Sequence, residues 1–307
     1  MKQQRKLFFA VNAHAGKEAI KTPFLKIVDI FIRAGYEPTV YLTQRSGELA
    51  GVIAEKAGAY DLVVCSGGDG TLNETINGLM RLEHPPTLGY IPAGTTNDFA
   101  SSLSIPKNIL KAAEAAVGGV PVHVDVGPLQ DRHFAYVAAF GAFTDVPYVT
   151  SQDSKNSLGK LAYLVEGAQR LSSLQTYHLE VEHDGGTVEG EFLLGMVSNS
   201  SYVAGLPVGR LMDVSLTDGL MEVGLVRKPA MMIELTRVAS NLLLGELDPE
   251  RIVFLKTQKL RVRSLEPIPW TLDGEFGGIY TDALLENLPR RLCVNVPPAI
   301  LVPRKKK

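Results

Sequence analysis

The amino-acid sequence predicts two domains: an N-terminal α/β domain with a doubly wound, mostly parallel sheet, and a C-terminal antiparallel β-sandwich with inserted helices. Up to residue 126, short apolar runs alternate with segments of helical periodicity, which favours a parallel sheet covered by helices. After Gly127-Pro128, strand-like runs follow one another with few helices between them. A chain of 307 residues is also long enough for two domains with separate cores.

The first domain contains five predicted strands, which are apolar or β-branched runs at 7–11, 39–43, 62–66, 88–91 and 122–126. Helices are predicted between them. Thr22-Pro23 supplies an N-cap and a first-turn proline for the first helix, the second ends at Lys56, and others follow the glycines at 67–70 and Pro106. Ligands of such sheets bind at the carboxyl ends of the strands.

The second domain contains predicted strands at 132–140, 177–183 and 187–198, with a hairpin turn at Asp184-Gly185-Gly186 and inserted helices at 157–174 and 229–244. We therefore divide the chain into residues 1–127, residues 128–298 and a C-terminal segment, 299–307, for which a return to the first domain is considered.

Composition and charge narrow the function classes. The chain is 45% hydrophobic and 21% charged with a net charge of −2, which is typical of a globular protein and argues against a nucleic-acid binder. The apolar run 7–11 is too short for a signal peptide, and no run approaches the roughly 18 residues of a membrane span. Cys65 and Cys293 show no metal-ligand spacing. We expect a cytoplasmic protein that contacts membranes only peripherally.

The strand at 62–66 leads into Gly67-Gly68-Asp69-Gly70-Thr71 and then a helix. Glycines let backbone N–H groups converge on phosphate oxygens at a helix N-terminus. The loop lacks the Gly-Lys-Ser/Thr of a P-loop, and its acidic residue indicates a metal ion or a hydroxyl beside the phosphates. The alternative is a tight βα turn whose glycines serve only packing.

Three further segments have polar patterns that indicate a site. Pro92–Ala100 follows the next predicted strand and contains Thr95, Asn97 and Asp98, where the alternative role of Asn97-Asp98 is to cap a helix. Asp218-Gly219 and Asp273-Gly274 lie in the second domain. Asp-Gly is in itself an ordinary hairpin signal.

These segments together resemble the diacylglycerol kinase catalytic family. Gly67–Thr71 followed by Leu72-Asn73-Glu74 resembles its nucleotide-binding signature, and three more motifs occur in the family's order at Gly94–Ala100, Asp218-Gly219-Leu220 and Leu272–Glu275. The resemblance covers nearly the whole chain. It implies an ATP-dependent lipid kinase that moves the γ-phosphoryl of ATP to a lipid hydroxyl, with diacylglycerol as the expected acceptor and phosphatidic acid as the product.

The resemblance also implies roles for individual residues. The nucleotide would be bound by Asn12, Thr43, Gly67, Gly68, Asp69, Gly70, Thr71, Leu72, Asn73 and Thr95. Asp273, Glu275 and Asp69 would be catalytic, and whether Asp273 or Glu275 is the base stays open. Mg²⁺ would be held by the Asp218 carboxylate with main-chain carbonyls of Ser215 and Leu220, and Asp98 would join Asp69 in a supporting acidic network. Ala13 and Ala15 replace the proline and serine of the family's first loop.

Two alternatives remain at this stage. A NAD kinase shares the Gly-Gly-Asp-Gly-Thr core, although the segments 72–74, 97–100 and 273–275 suit lipid kinases better. A catalytically silent nucleotide- or lipid-binding regulator is the other. The expected partners are ATP, a membrane lipid, a peripheral membrane surface contacted by the basic tail 304–307, and a second copy in a homodimer.

Overall fold

The protein is described from a computed structural model, which describes residues 4–15, 20–142, 175–203, 206–207, 214–230, 234, 237, 241 and 248–298. The predicted helix at 157–174 and the tail 304–307 lie outside the described residues, as does most of the predicted helix at 229–244. Within the described part, no helix is both long enough and apolar enough to cross a bilayer.

The first sheet begins with four parallel strands in the order β2-β1-β3-β4. These strands are β1 (Arg5–Val11), β2 (Tyr36–Leu42), β3 (Leu62–Gly67) and β4 (Thr87–Pro92), and the helices are α1 (Phe24–Arg33), α2 (Leu49–Lys56), α3 (Asp69–Leu79), α4 (Asp98–Ser102) and α5 (Ile109–Gly118). Strands β3 and β4 are almost wholly buried, as expected where helices cover a parallel sheet. Helix α1 packs against α5 and α2 against α3. The predicted parallel sheet is therefore present.

The chain returns to this sheet earlier than expected. Strand β16 (Leu288–Val296) pairs in parallel with β4 and antiparallel with β5 (Val120–Leu129). Its apolar side chains Leu292, Val294 and Val296 belong to the core of the first domain. The expected return of residues 299–307 to the first domain is therefore preceded by a return at residues 288–296. Strand β16 makes it because its apolar side chains complete the buried face beside β4.

The second sheet is antiparallel and has its own core. Its strands are β6 (Arg132–Phe134), β7 (Val137–Gly141), β8 (Tyr177–His183), β9 (Gly186–Ser198), β12 (Met221–Arg227), β13 (Ile252–Thr257), β14 (Lys259–Leu272) and β15 (Glu275–Glu286); β10 (Tyr202–Val203) and β11 (Leu206–Pro207) form a separate short pair. The long strands β9 and β14 each pair with β8 along one part and with β7 along another. They enclose an apolar cluster around the fully buried Trp270.

Two hairpin turns matter for the arrangement. Asp184-Gly185 links β8 to β9, which confirms the predicted hairpin. Asp273-Gly274 links β14 to β15, and both residues have positive φ, 52° and 88°, as a tight two-residue hairpin requires. Strand β5 joins the two sheets, because its first part pairs with β16 and its last residues pair with β6.

Candidate functional site

Two glycine-containing loops meet at the carboxyl ends of β3 and β4. A Cβ added to Gly94 would lie 2.6 Å from the Cα of Gly68, so the loops approach more closely than side chains would allow. Gly68 precedes the first residue of α3. The predicted strand, loop and helix are present, and the N–H groups of the helix N-terminus are directed into this region.

A cavity of about 380 Å³ opens beside these loops. It is lined by Asn12, His14, Ala15, Thr43, Gln44, Arg45, Ser46, Leu49, Gly68, Gly70, Thr71, Glu74, Gly94 and Glu275. Asn12 donates from Nδ2 to Thr71 Oγ1 at 3.2 Å, which ties the loop after β1 to the start of α3. The cavity lies at a helix N-terminus, and its lining includes glycine backbone, polar side chains and the Arg45 guanidinium, so it suits a phosphate-bearing ligand.

The residues predicted to bind a nucleotide divide into two groups. The side chains or backbones of Asn12, Thr43, Gly68, Gly70 and Thr71 line the cavity. The other five do not line it: Gly67 ends β3, Asp69 is the first residue of α3, Leu72 is in the core, Asn73 is 4% exposed, and Thr95 is an exposed loop residue. For Leu72 and Asn73 the structure therefore contradicts side-chain contact with a ligand in this cavity. Leu72 packs in the core of the first domain, and the Asn73 amide is bound to Asp273.

Asp69, the first residue of α3, has one carboxylate oxygen engaged and one orphaned. Oδ2 accepts the Asn97 N–H at 2.9 Å, whereas Oδ1 is buried without a hydrogen-bond partner in the described part of the chain. Burial raises the pKa of Asp69 to about 7, and the negative charge of Asp98 contributes to the same shift. A cation or a hydroxyl donor would satisfy Oδ1, so this carboxylate fits the expected ligand chemistry.

Asn97 explains how Asp98 comes to lie near Asp69. It has a left-handed backbone, φ 52°, and its side-chain amide accepts the Gly94 N–H at 3.0 Å and donates to the Gly94 carbonyl at 2.7 Å. The closed loop then begins α4 with Asp98, which is 1% exposed. The two predicted acidic residues therefore do lie close enough to interact.

Asp273 is fully engaged and does not line the cavity. Its carboxylate accepts the N–H groups of Ala135, Tyr136 and Val137 at 2.7, 3.0 and 3.0 Å, and the Asn73 amide at 2.7 Å. Burial raises the pKa of Asp273, and these four donors act in the opposite direction because they stabilise the anion. Because four hydrogen bonds already occupy its two oxygens, the Asp273 carboxylate has little capacity to take a proton from a substrate.

Glu275, two residues later, is exposed and lines the cavity. Its Oε1 is 3.0 Å from where a Cβ on Gly70 would be, so the carboxylate lies over the first turn of α3. In the described part of the chain the Glu275 side chain makes no hydrogen bond and no ion pair. The structure therefore separates two carboxylates that the sequence left as equal candidates: Asp273 fixes the turn, and Glu275 is presented to the cavity.

The loop at 215–220 in the second domain does not line this cavity. Asp218 is exposed and its Oδ1 accepts the Leu220 N–H at 3.1 Å, while Ser215 Oγ lies 3.4 Å from Thr217 Oγ1. Among the described residues, no three His, Cys, Asp or Glu side chains are grouped to hold a metal ion. The described residues therefore contain no acidic cluster in which Asp218 joins Asp69 and Asp98. An exposed carboxylate with nearby main-chain oxygens still suits Mg²⁺, which prefers few protein ligands and retained waters.

Sequence reasoning missed two residues. Asp125 in β5 is 1% exposed and accepts the N–H groups of Gly219 and Arg290 at 2.7 and 2.8 Å, and so anchors the loop of Asp218 to the first sheet. A charged residue inside the apolar run 122–126 was the available signal, because buried charges need partners. The second missed residue is Arg45, whose guanidinium lies at the cavity with Nε 3.5 Å from Glu48 Oε2. The available signal was its position in the polar segment that follows β2.

Comparisons with known proteins agree with this architecture. Residues 6–129 match the family described as diacylglycerol kinase catalytic domain, and residues 141–296 match the YegS C-terminal NAD kinase beta sandwich-like domain. A diacylglycerol kinase of Bacillus subtilis is 36% identical over 97% of both chains, and one of Staphylococcus carnosus is 34% identical over 93% of both. A crystal structure of a diacylglycerol kinase from Bacillus anthracis aligns with a TM-score of 0.76 at 25% identity, covering 98% of this chain and 100% of that one.

Proposed function

The chain belongs to the diacylglycerol kinase catalytic family, and on that premise we propose that it is a lipid kinase that transfers the γ-phosphoryl of ATP to the free hydroxyl of diacylglycerol, giving phosphatidic acid. The observation that carries the proposal is the position of Glu275. Its carboxylate lies beside Gly70, at the helix N-terminus where the phosphates would be bound. A phosphate cradle and a carboxylate that can accept a hydroxyl proton are what phosphoryl transfer to an alcohol requires.

The nucleotide occupies the cavity between the loops after β1, β2 and β3. Backbone N–H groups at Gly68, Gly70 and Thr71 are the donors for its phosphates, and Asn12 and Thr43 contact it from the neighbouring loops. Arg45 adds a positive charge at the same cavity. The base pocket lies on the side of these loops away from Glu275, since Glu275 must be at the transferred phosphoryl group.

In the transfer itself, the hydroxyl oxygen of the lipid forms a bond to the γ-phosphorus as the bond to the β,γ-bridging oxygen breaks, and ADP leaves. Glu275 accepts the hydroxyl proton directly or through a water. Asp273 acts through the turn: it holds Glu275 in place and does not itself take the proton. Asp69, with its orphaned Oδ1, lies at the phosphate end of the site with Asp98 beside it.

Mg²⁺ fits two places among these residues. Asp69 Oδ1 is buried without a partner in the described residues, and a nearby cation would stabilise its anionic form. Asp218, with the main-chain carbonyls of Ser215 and Leu220, would hold a second ion on an exposed loop. A bound Mg²⁺ supplies charge neutralisation for the phosphates.

The membrane surface would be met by a strip of apolar side chains that starts next to Glu275. Phe276 and Ile279 are 62% and 57% exposed. Their cross-strand partners, Thr271 and Pro269, are two residues apart, and Gly277 is left unpaired between them, so both side chains lie on one face. The Arg132 guanidinium donates to the Phe276 carbonyl, which adds a cation beside the strip. Apolar side chains next to an arginine suit the interface of an anionic bilayer.

A vesicle experiment tests this docking surface against the basic tail. Phe276→Ser with Ile279→Ser should weaken binding to anionic vesicles and lower activity on vesicle-borne diacylglycerol, but not on a short-chain monomeric analogue. Deletion of 304–307 is the parallel variant, since that tail is the other expected docking element. Unchanged vesicle binding by the double serine variant would remove the strip from the proposal.

The cytoplasmic location and a homodimer remain predictions.

An acceptor panel with radiolabelled ATP tests the proposed reaction. The purified protein should phosphorylate diacylglycerol far faster than sphingosine, ceramide or NAD, and removal of divalent cations should abolish the transfer. Labelling of NAD in preference to any lipid would establish the NAD kinase alternative. Nucleotide binding without transfer to any acceptor would establish the silent regulator.

A further inference from the structure

Helix α3 lies between the two walls of the cavity. Asn73 and Glu74 are three and four residues after Gly70, so in a helix their side chains leave on either side of it. Gly70 is the point of α3 next to Glu275. Two neighbouring residues of one helical turn therefore flank the place where phosphate and acceptor would meet.

Glu74 holds the first wall, which is the loop between β2 and α2. Its Oε1 accepts the Gly47 N–H at 2.8 Å, and its Oε2 accepts the Leu49 N–H at 2.9 Å. Gly47 has a left-handed backbone, φ 82°, so the carboxylate is bound where the loop turns. Residues 43–46, immediately before this point, line the cavity. Two charge-assisted hydrogen bonds thus fix the nucleotide side of the cavity to α3.

Asn73 holds the second wall, which is the turn that carries Glu275. Its Nδ2 donates to Asp273 Oδ2 at 2.7 Å and to the His133 carbonyl at 3.0 Å. Its own Oδ1 accepts from Asn77 Nδ2 at 3.0 Å, which sets the orientation of the amide. A residue of the glycine-loop signature therefore reaches a turn that comes 200 residues later in the chain.

We propose that Glu74 and Asn73 are positioning residues that set the two walls of the cavity separately, Glu74 for the nucleotide and Asn73 for the acceptor side. The inference rests on the proposed function, because it assigns the walls to ATP and to the lipid hydroxyl. Loss of Glu74 releases the loop that contacts the nucleotide and leaves Glu275 in place. Loss of Asn73 displaces the turn of Glu275 and leaves the nucleotide loops in place.

The test is a split between nucleotide affinity and turnover. Glu74→Gln keeps the size of the side chain but replaces one acceptor oxygen with an amide N–H that faces a backbone N–H. It should raise the Kd and the KM for nucleotide about 5- to 20-fold, with kcat within about threefold of wild type. Asn73→Ala should lower kcat about 10- to 100-fold and leave the nucleotide Kd within about twofold.

Matched variants separate a positioning role from a general effect of lost charge or lost stability. Glu55→Gln removes the same charge from an exposed position on α2 and should change neither constant. Asn77→Ala keeps the bond from Asn73 to Asp273, but it removes the partner that orients the Asn73 amide and two hydrogen bonds between Asn77 and the His133 backbone. Because the direct bond to Asp273 stays, it should lower kcat less than Asn73→Ala does. If Asn73→Ala does not fold, kcat and nucleotide Kd are measured on Asn77→Ala instead. Thermal melts of each variant define a temperature at which all are folded.

Binding of an unreactive ATP analogue, measured by calorimetry without lipid, keeps this inference distinct from the proposed function. Wild type that binds no nucleotide or phosphorylates no lipid would overturn the proposed function. Wild type that does both, with Glu74→Gln and Asn73→Ala changing Kd and kcat in the same proportion, would overturn the inference alone. An unchanged nucleotide Kd in Glu74→Gln would do so as well.

Discussion

The Asp218-Gly219 and Asp273-Gly274 turns of the second domain have the same dipeptide and opposite environments. Asp273 is 4% exposed and its carboxylate accepts four hydrogen bonds, whereas Asp218 is exposed and accepts the Leu220 N–H. In the Asp273-Gly274 turn, the aspartate fixes the backbone and Glu275 is presented to the cavity. In the Asp218-Gly219 turn, Asp125 fixes the backbone by accepting the Gly219 N–H, and the Asp218 carboxylate is exposed to solvent. The number of donors around each carboxylate, and not its place in the turn, separates a group that fixes the backbone from one whose oxygens are left available.

The largest expected effect comes from Asp273→Asn. An amide nitrogen would face backbone N–H groups that now donate to a carboxylate, so the variant loses bonds and gains a repulsion. We expect a loss of about 2–4 kcal/mol in the free energy of unfolding, together with most of the activity. Urea unfolding measures the first quantity. Asp218→Asn is the matched control and should stay within about 0.5 kcal/mol of wild type; equal losses in the two variants would show that the two turns do not differ.

Glu275→Gln tests whether the Asp273-Gly274 turn acts through its second carboxylate. It should lower kcat by about two orders of magnitude or more, with nucleotide affinity and the free energy of unfolding almost unchanged, because the side chain is exposed and makes no bond within the described residues. Single-turnover kinetics with bound ATP isolate the chemical step. A near-wild-type single-turnover rate would mean that the base is another group.

Asp69 is intermediate between the two turns, with one oxygen bonded and one orphaned. Its folded-state pKa of about 7 exceeds its ordinary value of 3.8, so its favourable contribution is fully present below pH 3.8 and is lost as the pH rises through 7. Asp69→Asn should therefore inactivate the enzyme and yet stabilise it at pH 8 by about 1–3 kcal/mol in the absence of Mg²⁺. Unfolding curves at pH 8 and pH 4 measure this. A gain that is equal at both pH values would have another origin.

Asp218→Ala is expected to have the smallest effect on the fold, because one exposed carboxylate is removed while Asp125 still holds Gly219. The free energy of unfolding should change by less than about 0.5 kcal/mol. The Mg²⁺ concentration for half-maximal activity should rise several-fold if the loop holds an ion. Activity titrations with Mg²⁺ measure this midpoint, and the same midpoint in variant and wild type would remove the ion from the loop.

Much of the first domain follows from local sequence. The glycines after β3 need no distant partner to specify a tight turn, and the alternation of apolar runs with helical periodicity specifies a parallel sheet. Local sequence therefore predicted the strand–loop–helix at Asp69 and the position of Asp98 close to Asp69. It also predicted the parallel sheet that contains β1, β2, β3 and β4, and, in the second domain, the hairpin at Asp184-Gly185. Each depends on residues that are close in sequence or on a rule of sheet topology.

The tertiary structure decided what depends on contacts between distant residues. Strand β16 returns to β4 across the whole second domain, and Asp273 is bound by N–H groups about 137 residues away. Asn73 is directed to Asp273 and not to the nucleotide, and Asp125 is directed to the loop of Asp218. The sequence by itself determined which residue types are present for phosphate, metal and proton chemistry. It could not determine which carboxylate is satisfied and which is free, because burial and the count of donors are set only when the two sheets pack together.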